Sequence, residues 1–327
     1  MHAREFQRLA GGFYLKGLSV DDDYQCLWFS DVLAGGIGRL HSDRQIARYN
    51  PDRLWIGSIL LNWDGCILSS GSGGIAWTNP DSGAGGWLLN KIDGHPIGCV
   101  NEMTPDRIGG IYFSTVDIGA IARHAQPAPS SIYHLHNNGK LRRLHDGSIF
   151  ANGLVVSVDR KTLYINETYK GTCAMDIMAD GTLGNLRQLS DQHDCDGIAL
   201  DANDDLWITG FQSGTIRCLS PAGVNKHIIA TPLEGVSQIH FAHGSSDTVY
   251  LTEVPVDRSS VLKGGRLPNH EVSHLWRCKI AVVGSPVART QFSLRGNFNS
   301  HRETISIPYD LAHHHLNASI VPRILLH

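Results

Sequence analysis

Asn101, Asn152 and Asp196 stand at one equivalent place in three successive segments, each at the entry to a short apolar run. Lys16, Gly57 and Ser237 fill the same place in three further segments. The set is polar at five of six positions, although every member adjoins residues that must pack. One carboxylate and two amide oxygens form a hard-oxygen donor set suited to a divalent cation such as Ca, Zn, Mn or Mg. Lys16 adds an amine that can polarise a carbonyl, act as a base or form an imine. Asn and Asp also commonly end turns before strands, which is a purely structural use of the same residues. The convergence of the whole set, more than any one member, points to a site.

Six strand-like runs must position these side chains. They are Leu27–Ser30, Ile67–Ser70, Ile111–Ser114, Leu163–Asn166, Leu206–Thr209 and Val249–Thr252, with starts 40, 44, 52, 43 and 43 residues apart. Each pairs aliphatic with aliphatic or aromatic residues, then turns polar. About ten residues earlier lies another apolar strand: Leu18–Val20, Ile59–Leu61, Met103–Pro105, Leu154–Val156, Ile198–Leu200 or Ile239–Phe241. Turns such as Asn62-Trp63-Asp64-Gly65 and Asp201–Asp205 join the two as hairpins. Gly-rich turns lead into third strands, among them 36–40, 74–77, 131–135, 214–218 and, for the last repeat, 275–278. A fourth, more polar strand completes each sheet. A period of 40–50 residues built from short strands marks a β-propeller. The expected fold is all-β: one six-bladed propeller over 1–327, with four-stranded antiparallel blades around a central channel. Insertions are expected near 118–130, which includes Gln126-Pro127-Ala128-Pro129, and near 255–271. An extension from about 294 lies outside the repeat and is read as a cap or clasp for the ring, or a means of self-association.

The 327 residues include 35 glycines, suited to many tight turns, and 42% hydrophobic residues, enough for a sizeable core. The 28 basic and 31 acidic residues are balanced and form no tract suited to nucleic acid. No apolar run reaches membrane-spanning length, and the first residues lack the core of a secretion signal. Seven irregularly spaced cysteines form no disulfide framework and no Cys-x-x-Cys pair. A cytoplasmic protein with reduced thiols, acting on a small molecule, is the expectation. His313-His314-His315 reads as a surface tract.

Ala151-Asn152-Gly153-Leu154 before Leu163–Ile165, and Cys195-Asp196-Gly197-Ile198 before Leu206–Thr209, resemble the family of gluconolactonases, senescence marker proteins and luciferin-regenerating enzymes. Asn101-Glu102 before Ile111–Thr115 resembles that family's third-blade Asn-Asp motif. With the segment around Asp31, the resemblance spans roughly 11–255. It implies a six-bladed propeller holding one catalytic divalent metal. The implied ligands here are Asn152 and Asp196, with Asn101 nearby. The family's blade-one Glu does not carry over, because Leu15-Lys16-Gly17-Leu18 stands where its Leu-Glu-Gly-Pro would be. Two outcomes follow: a metal retained on Asp196, Asn152 and Asn101, or a Lys16 ammonium in its place. Cys99 stands near where the family often has an Arg, which removes a basic contact for sugar acids.

His95, Cys99 and Glu102 flank Asn101; Trp77, Tyr169 and Phe211 follow the repeating strands; and His193 precedes Asp196 by three residues. With Asn101 and Ser237 these are the candidate substrate contacts. For Trp77 and Tyr169 ordinary packing between blades is the preferred reading, and for His193 an exposed loop. The expected activity is hydrolysis of a lactone or related cyclic ester, hydrophobic or aromatic rather than a sugar acid. Asp196 is the general base and Lys16 or a metal polarises the carbonyl. The alternatives are a lysine-dependent lyase or C–C bond hydrolase using Lys16, and a non-enzymatic ligand-binding propeller.

Overall fold

In the computed structural model, which describes residues 1–118, 127–242, 244, 247–254 and 267–294, each repeating run is the second strand of an antiparallel sheet. Blade one is Leu15–Asp21, Cys26–Asp31, Ile37–Leu40 and Ile46–Tyr49; blade two is Ile59–Leu61, Ile67–Ser69, Ile75–Thr78 and Gly85–Leu89. Blade three is Cys99–Pro105, Ile111–Thr115, Ser130–Leu135 and Leu141–Ser148, joined on its inner edge by the short strand Gly71–Ser72. Blade four is Ala151–Val156, Thr162–Glu167, Gly171–Ile177 and Leu183–Ser190; blade five is Cys195–Leu200, Leu206–Gly210, Thr215–Leu219 and Asn225–Ala230. Blade six takes Val236–Phe241, Thr248–Glu253 and Ser273–Lys279 from the end of the repeat. Its outer strand is Arg4–Gly12 from the start of the chain. The ring is thus closed by pairing the two ends of the propeller sequence, an outcome that no local pattern announces.

The apolar pairs of the repeat fill the spaces between blades. Ile75 and Trp77 of blade two, for example, pack with Phe113 and Tyr133 of blade three. Fully burying one such side chain contributes roughly 1.5–3 kcal/mol. Trp28 and Trp207 are buried, and their indole N–H groups donate to Asp21 and Asp201 at the far ends of their own hairpins, 3.3 and 3.0 Å away. All seven cysteines are buried and none forms a disulfide.

The chain leaves the repeat near residue 280, earlier than the expected 294, and crosses the face where the inner strands end. Gly284 bridges to Asp201, and Ser285 N–H donates to Leu200 O. Arg107 donates to Pro286 O and Ser285 Oγ. Arg289 pairs with Asp21 and Asp23, and Thr290 bridges to Asn62. Phe292 and Leu294 are buried in the core between blades two and three. This strap touches five of the six blades or their loops and so clasps the ring. Residues 119–126, 255–266 and 295–327, which carry most of the two expected insertions, the extension and the histidine tract, lie outside the described residues.

Candidate functional site

The polar ring is built on irregular strands. Pairing between first and second strands slips at Leu15/Leu18, Val100/Met103, Ala151/Leu154, Cys195/Ile198 and Val236/Gln238. Each slip is a β-bulge at the site residue, which re-aims its side chain. The bulges expose backbone groups that need new partners. The polar residue ending each second strand supplies them. Ser30 Oγ accepts from Gly17 N–H and donates to Ile56 O of the next blade, at 2.7 and 2.6 Å. Ser114 repeats this between Glu102 N–H and Ala151 O, and Thr209 Oγ1 accepts from Gly197 N–H. Asn166 Nδ2 donates to Asp196 O, and Thr252 Oγ1 to Lys16 O across the ring closure. Glycine after the site residue lets neighbouring inner strands approach: a Cβ at Gly153 would lie 2.6 Å from Asp196 O.

These supports bring Lys16, Asn101, Asn152 and Asp196 together. Lys16 Nζ donates to Asn152 Oδ1 at 2.6 Å and to Asp196 Oδ1 at 2.7 Å. Asn101 Nδ2 donates to Asn152 Oδ1 at 3.1 Å and to Ala151 O at 2.9 Å. Asn152 Nδ2 donates to Thr168 Oγ1, which fixes its amide with the oxygen towards Lys16. Lys16 is 6% exposed and Asp196 1%. Asp196 Oδ2 is buried without a hydrogen-bond partner. Burial raises the Asp196 carboxyl, against the opposing pull of Lys16.

Glu102 lies just beyond this group. Its Oε2 accepts from Gln238 Nε2 at 3.3 Å, and its Oε1 from Met103 N–H at 3.1 Å. Burial pushes its carboxyl up to about 7, again against Lys16. Glu102, Gln238 and Ser58 line an axial cavity of about 70 Å³, walled by all six inner strands and by Ser285 and Val287 of the strap.

The other candidates fall elsewhere. Ser237 Oγ donates to Leu15 O and Thr252 O, so it pins blade six to blade one, and the bulge aims its neighbour Gln238 into the channel. Gly57 contributes closeness only, its Cα facing Asn101 O. Cys99 is buried against Gly71–Ser72, and burial pushes its thiol up to about 12. Trp77 packs between blades two and three. His95 and His193 are exposed, and Tyr169 is half-buried against Phe150. Phe211 joins Tyr14, Val32 and Val254, with Leu33 and Trp55 against them, in an apolar cluster at the channel end that holds Lys16. Sequence reasoning missed Tyr14, Val32, Trp55, Val254 and Gln238. Their common signal is position, since all but Gln238 flank inner or second strands at this end.

The residues do not fit a divalent cation in the manner the family pattern implies. One oxygen of each implied ligand, Asn152 Oδ1 and Asp196 Oδ1, is bonded to the Lys16 ammonium.

Comparison with known proteins agrees with this architecture. Regucalcin of Pongo abelii is 24% identical over 155 residues, 44% of this chain and about half the length of that relative. A pentonolactonase of Haloferax volcanii is 21% identical over 201 residues, 59% of this chain and 67% of its own. The solved calcium-binding regucalcin of Agrobacterium tumefaciens superposes with a TM-score of 0.72 at 17% identity, covering 86% of this chain and 95% of that one. The signature of the SMP-30/Gluconolactonase/LRE-like region matches residues 16–254, and the chain belongs to that family.

Proposed function

We propose that the protein hydrolyses a lactone or related cyclic ester of apolar character at the Lys16–Asp196 pair. The observation that carries this reading is the division of labour within Asp196. Its Oδ1 is anchored by Lys16, while its buried Oδ2 is left free to accept a proton. An ammonium has three donors. Two of Lys16's are committed to Asn152 and Asp196, so the third is available to a substrate carbonyl oxygen.

Asp196 Oδ2 takes a proton from water as the water oxygen attacks the carbonyl carbon. The Lys16 N–H stabilises the negative charge developing on the carbonyl oxygen. Collapse breaks the ring C–O bond, and the departing alkoxide takes the proton back from Asp196. The product is an open-chain hydroxy acid. Asn101 and Asn152 hold the ammonium in place. The cluster of Tyr14, Val32, Phe211 and Val254, together with Cys99 in place of the family's Arg, supports an apolar substrate over a polyhydroxy sugar lactone. Imine chemistry at Lys16 is disfavoured, because an ammonium paired with Asp196 has no lone pair to offer. Hydrolysis of aliphatic, aromatic and sugar lactones by the wild-type chain and Asp196→Asn tests the proposal. Turnover of apolar lactones that Asp196→Asn removes is the expected result. Activity confined to sugar lactones refutes the substrate class, and full activity in Asp196→Asn refutes the site.

A further inference from the structure

We infer that the Lys16 ammonium is the site's resident cation, tethered to the chain where relatives would recruit a metal ion. The inference deepens the reading above and shares its residues, but metal binding can be read without any substrate. Lys16 occupies the blade-one ring position, where the family pattern places a carboxylate ligand. Its Nζ lies 2.6 Å from Asn152 Oδ1 and 2.7 Å from Asp196 Oδ1, one oxygen from each of the two implied ligands. Those are charge-assisted hydrogen-bond lengths.

The charge balance is preserved by the exchange. A carboxylate ligand together with a dication carries one net positive charge, and so does an ammonium. Asp196 neutralises either, so its surroundings keep the same formal charge while the mobile ion disappears. A dication added to the present site would instead face the ammonium at close range with Asp196 as its one directly bonded carboxylate, and both interactions are strong where water is excluded.

The backbone holds the tether in place. Thr252 Oγ1 donates to Lys16 O, Gly17 N–H is bonded to Ser30 Oγ, and the side chain is 6% exposed. Asn101 and Thr168 orient the Asn152 amide so that its oxygen, not its nitrogen, meets the lysine. The arrangement is therefore a complete cation site whose cation is covalently attached. Relative to this chain, a single charge reversal rebuilds the family's donor set.

The test is calorimetric titration of the full chain, stripped with chelator, with Ca²⁺ and separately with Mn²⁺. Metal content of the protein as purified is measured in parallel. The wild type is expected to show no saturable binding below millimolar metal. Lys16→Glu is expected to bind one equivalent at least about a hundredfold more tightly than wild type, with Lys16→Gln between them. Adding Asp196→Asn to Lys16→Glu removes the gain. A wild type that retains one equivalent through chelation, or rebinds it in a manner abolished by Asp196→Asn, overturns the inference. So does a folded Lys16→Glu that binds no better than wild type. Should Lys16→Glu not fold, the wild-type titration and the Lys16→Gln increment decide. Failure to find a lactone substrate leaves all of these readings unaffected.

Discussion

The two ends of the channel are made by the same six strands, yet they differ in almost every physical respect. At one end five inner strands bulge, glycines draw them together, and Lys16, Asn101, Asn152 and Asp196 form one hydrogen-bonded group. At the other the ladders run without slips, Leu154 meeting Ile165 and Val156 meeting Leu163, and the strap crosses the opening. A regular strand spends its backbone on the ladder and its side chains on packing. A bulged one releases backbone and side chain for other uses, provided that something like Ser114 or Asn166 supplies the missing partners. Hydrogen-bonded polar side chains are therefore concentrated at the bulged end and cohesion at the strapped end.

The largest expected effect tests the chemical end. Asp196→Asn should lower kcat on an apolar lactone by about a thousandfold, the range of a lost general base, while circular dichroism stays unchanged. At the strapped end Phe292→Ala should do the reverse. Emptying that buried site costs about 3–5 kcal/mol, read as a lower denaturation midpoint, with kcat at 25 °C unaltered. A fall in kcat without a fall in stability would dissolve the contrast between the ends.

Glu102, between the two, sharpens the comparison through pH. Its carboxyl titrates near 4.5 when unfolded and about 7 when folded. Between these values the folded state binds more protons, so stability falls as pH rises from about 4.5 to about 7, and the loss then levels off. The shift corresponds to on the order of 3 kcal/mol. Glu102→Gln should flatten this slope in urea titrations across that window; an unchanged slope would place the titration elsewhere.

Ser114→Ala removes the hydroxyl that serves both the blade-three bulge and Ala151 O. A stability loss of roughly 1–3 kcal/mol is expected, with a smaller drop in kcat through Asn101 and Asn152. Loss of stability with kcat wholly preserved would mean that the bulges do not position the site. The smallest effect belongs to His95→Ala and His193→Ala. Both residues are exposed, and less than a twofold change in kcat/KM is expected. A larger change in either would extend the site beyond the ring.

The sequence was legible wherever local chemistry repeats. The aromatic strands, their hairpin partners and the places of Asn152 and Asp196 were fixed by alternation and turn residues, which act over fewer than a dozen positions. The polar residue closing each run was visible, but its role was not. Ser30, Ser114 and Thr209 make sense only beside a bulge and a neighbouring blade, partners that sequence order keeps apart. For the same reason the repeat alone places Ser237 facing the channel, while the bulge at Val236/Gln238 gives that place to Gln238.

Ring closure by Arg4–Gly12 and the strap from residue 280 were hidden for a related reason. Both depend on pairing between segments more than 200 residues apart, as in Arg8 with Trp276 and Asn62 with Thr290. By itself the sequence determined that this is a six-bladed all-β ring with a lysine among its polar channel residues, because strand periodicity and residue identity are local properties. Only the tertiary structure decided that Lys16 reaches Asn152 and Asp196 from two other blades and leaves one oxygen of Asp196 free, because that meeting is made by curvature around the ring.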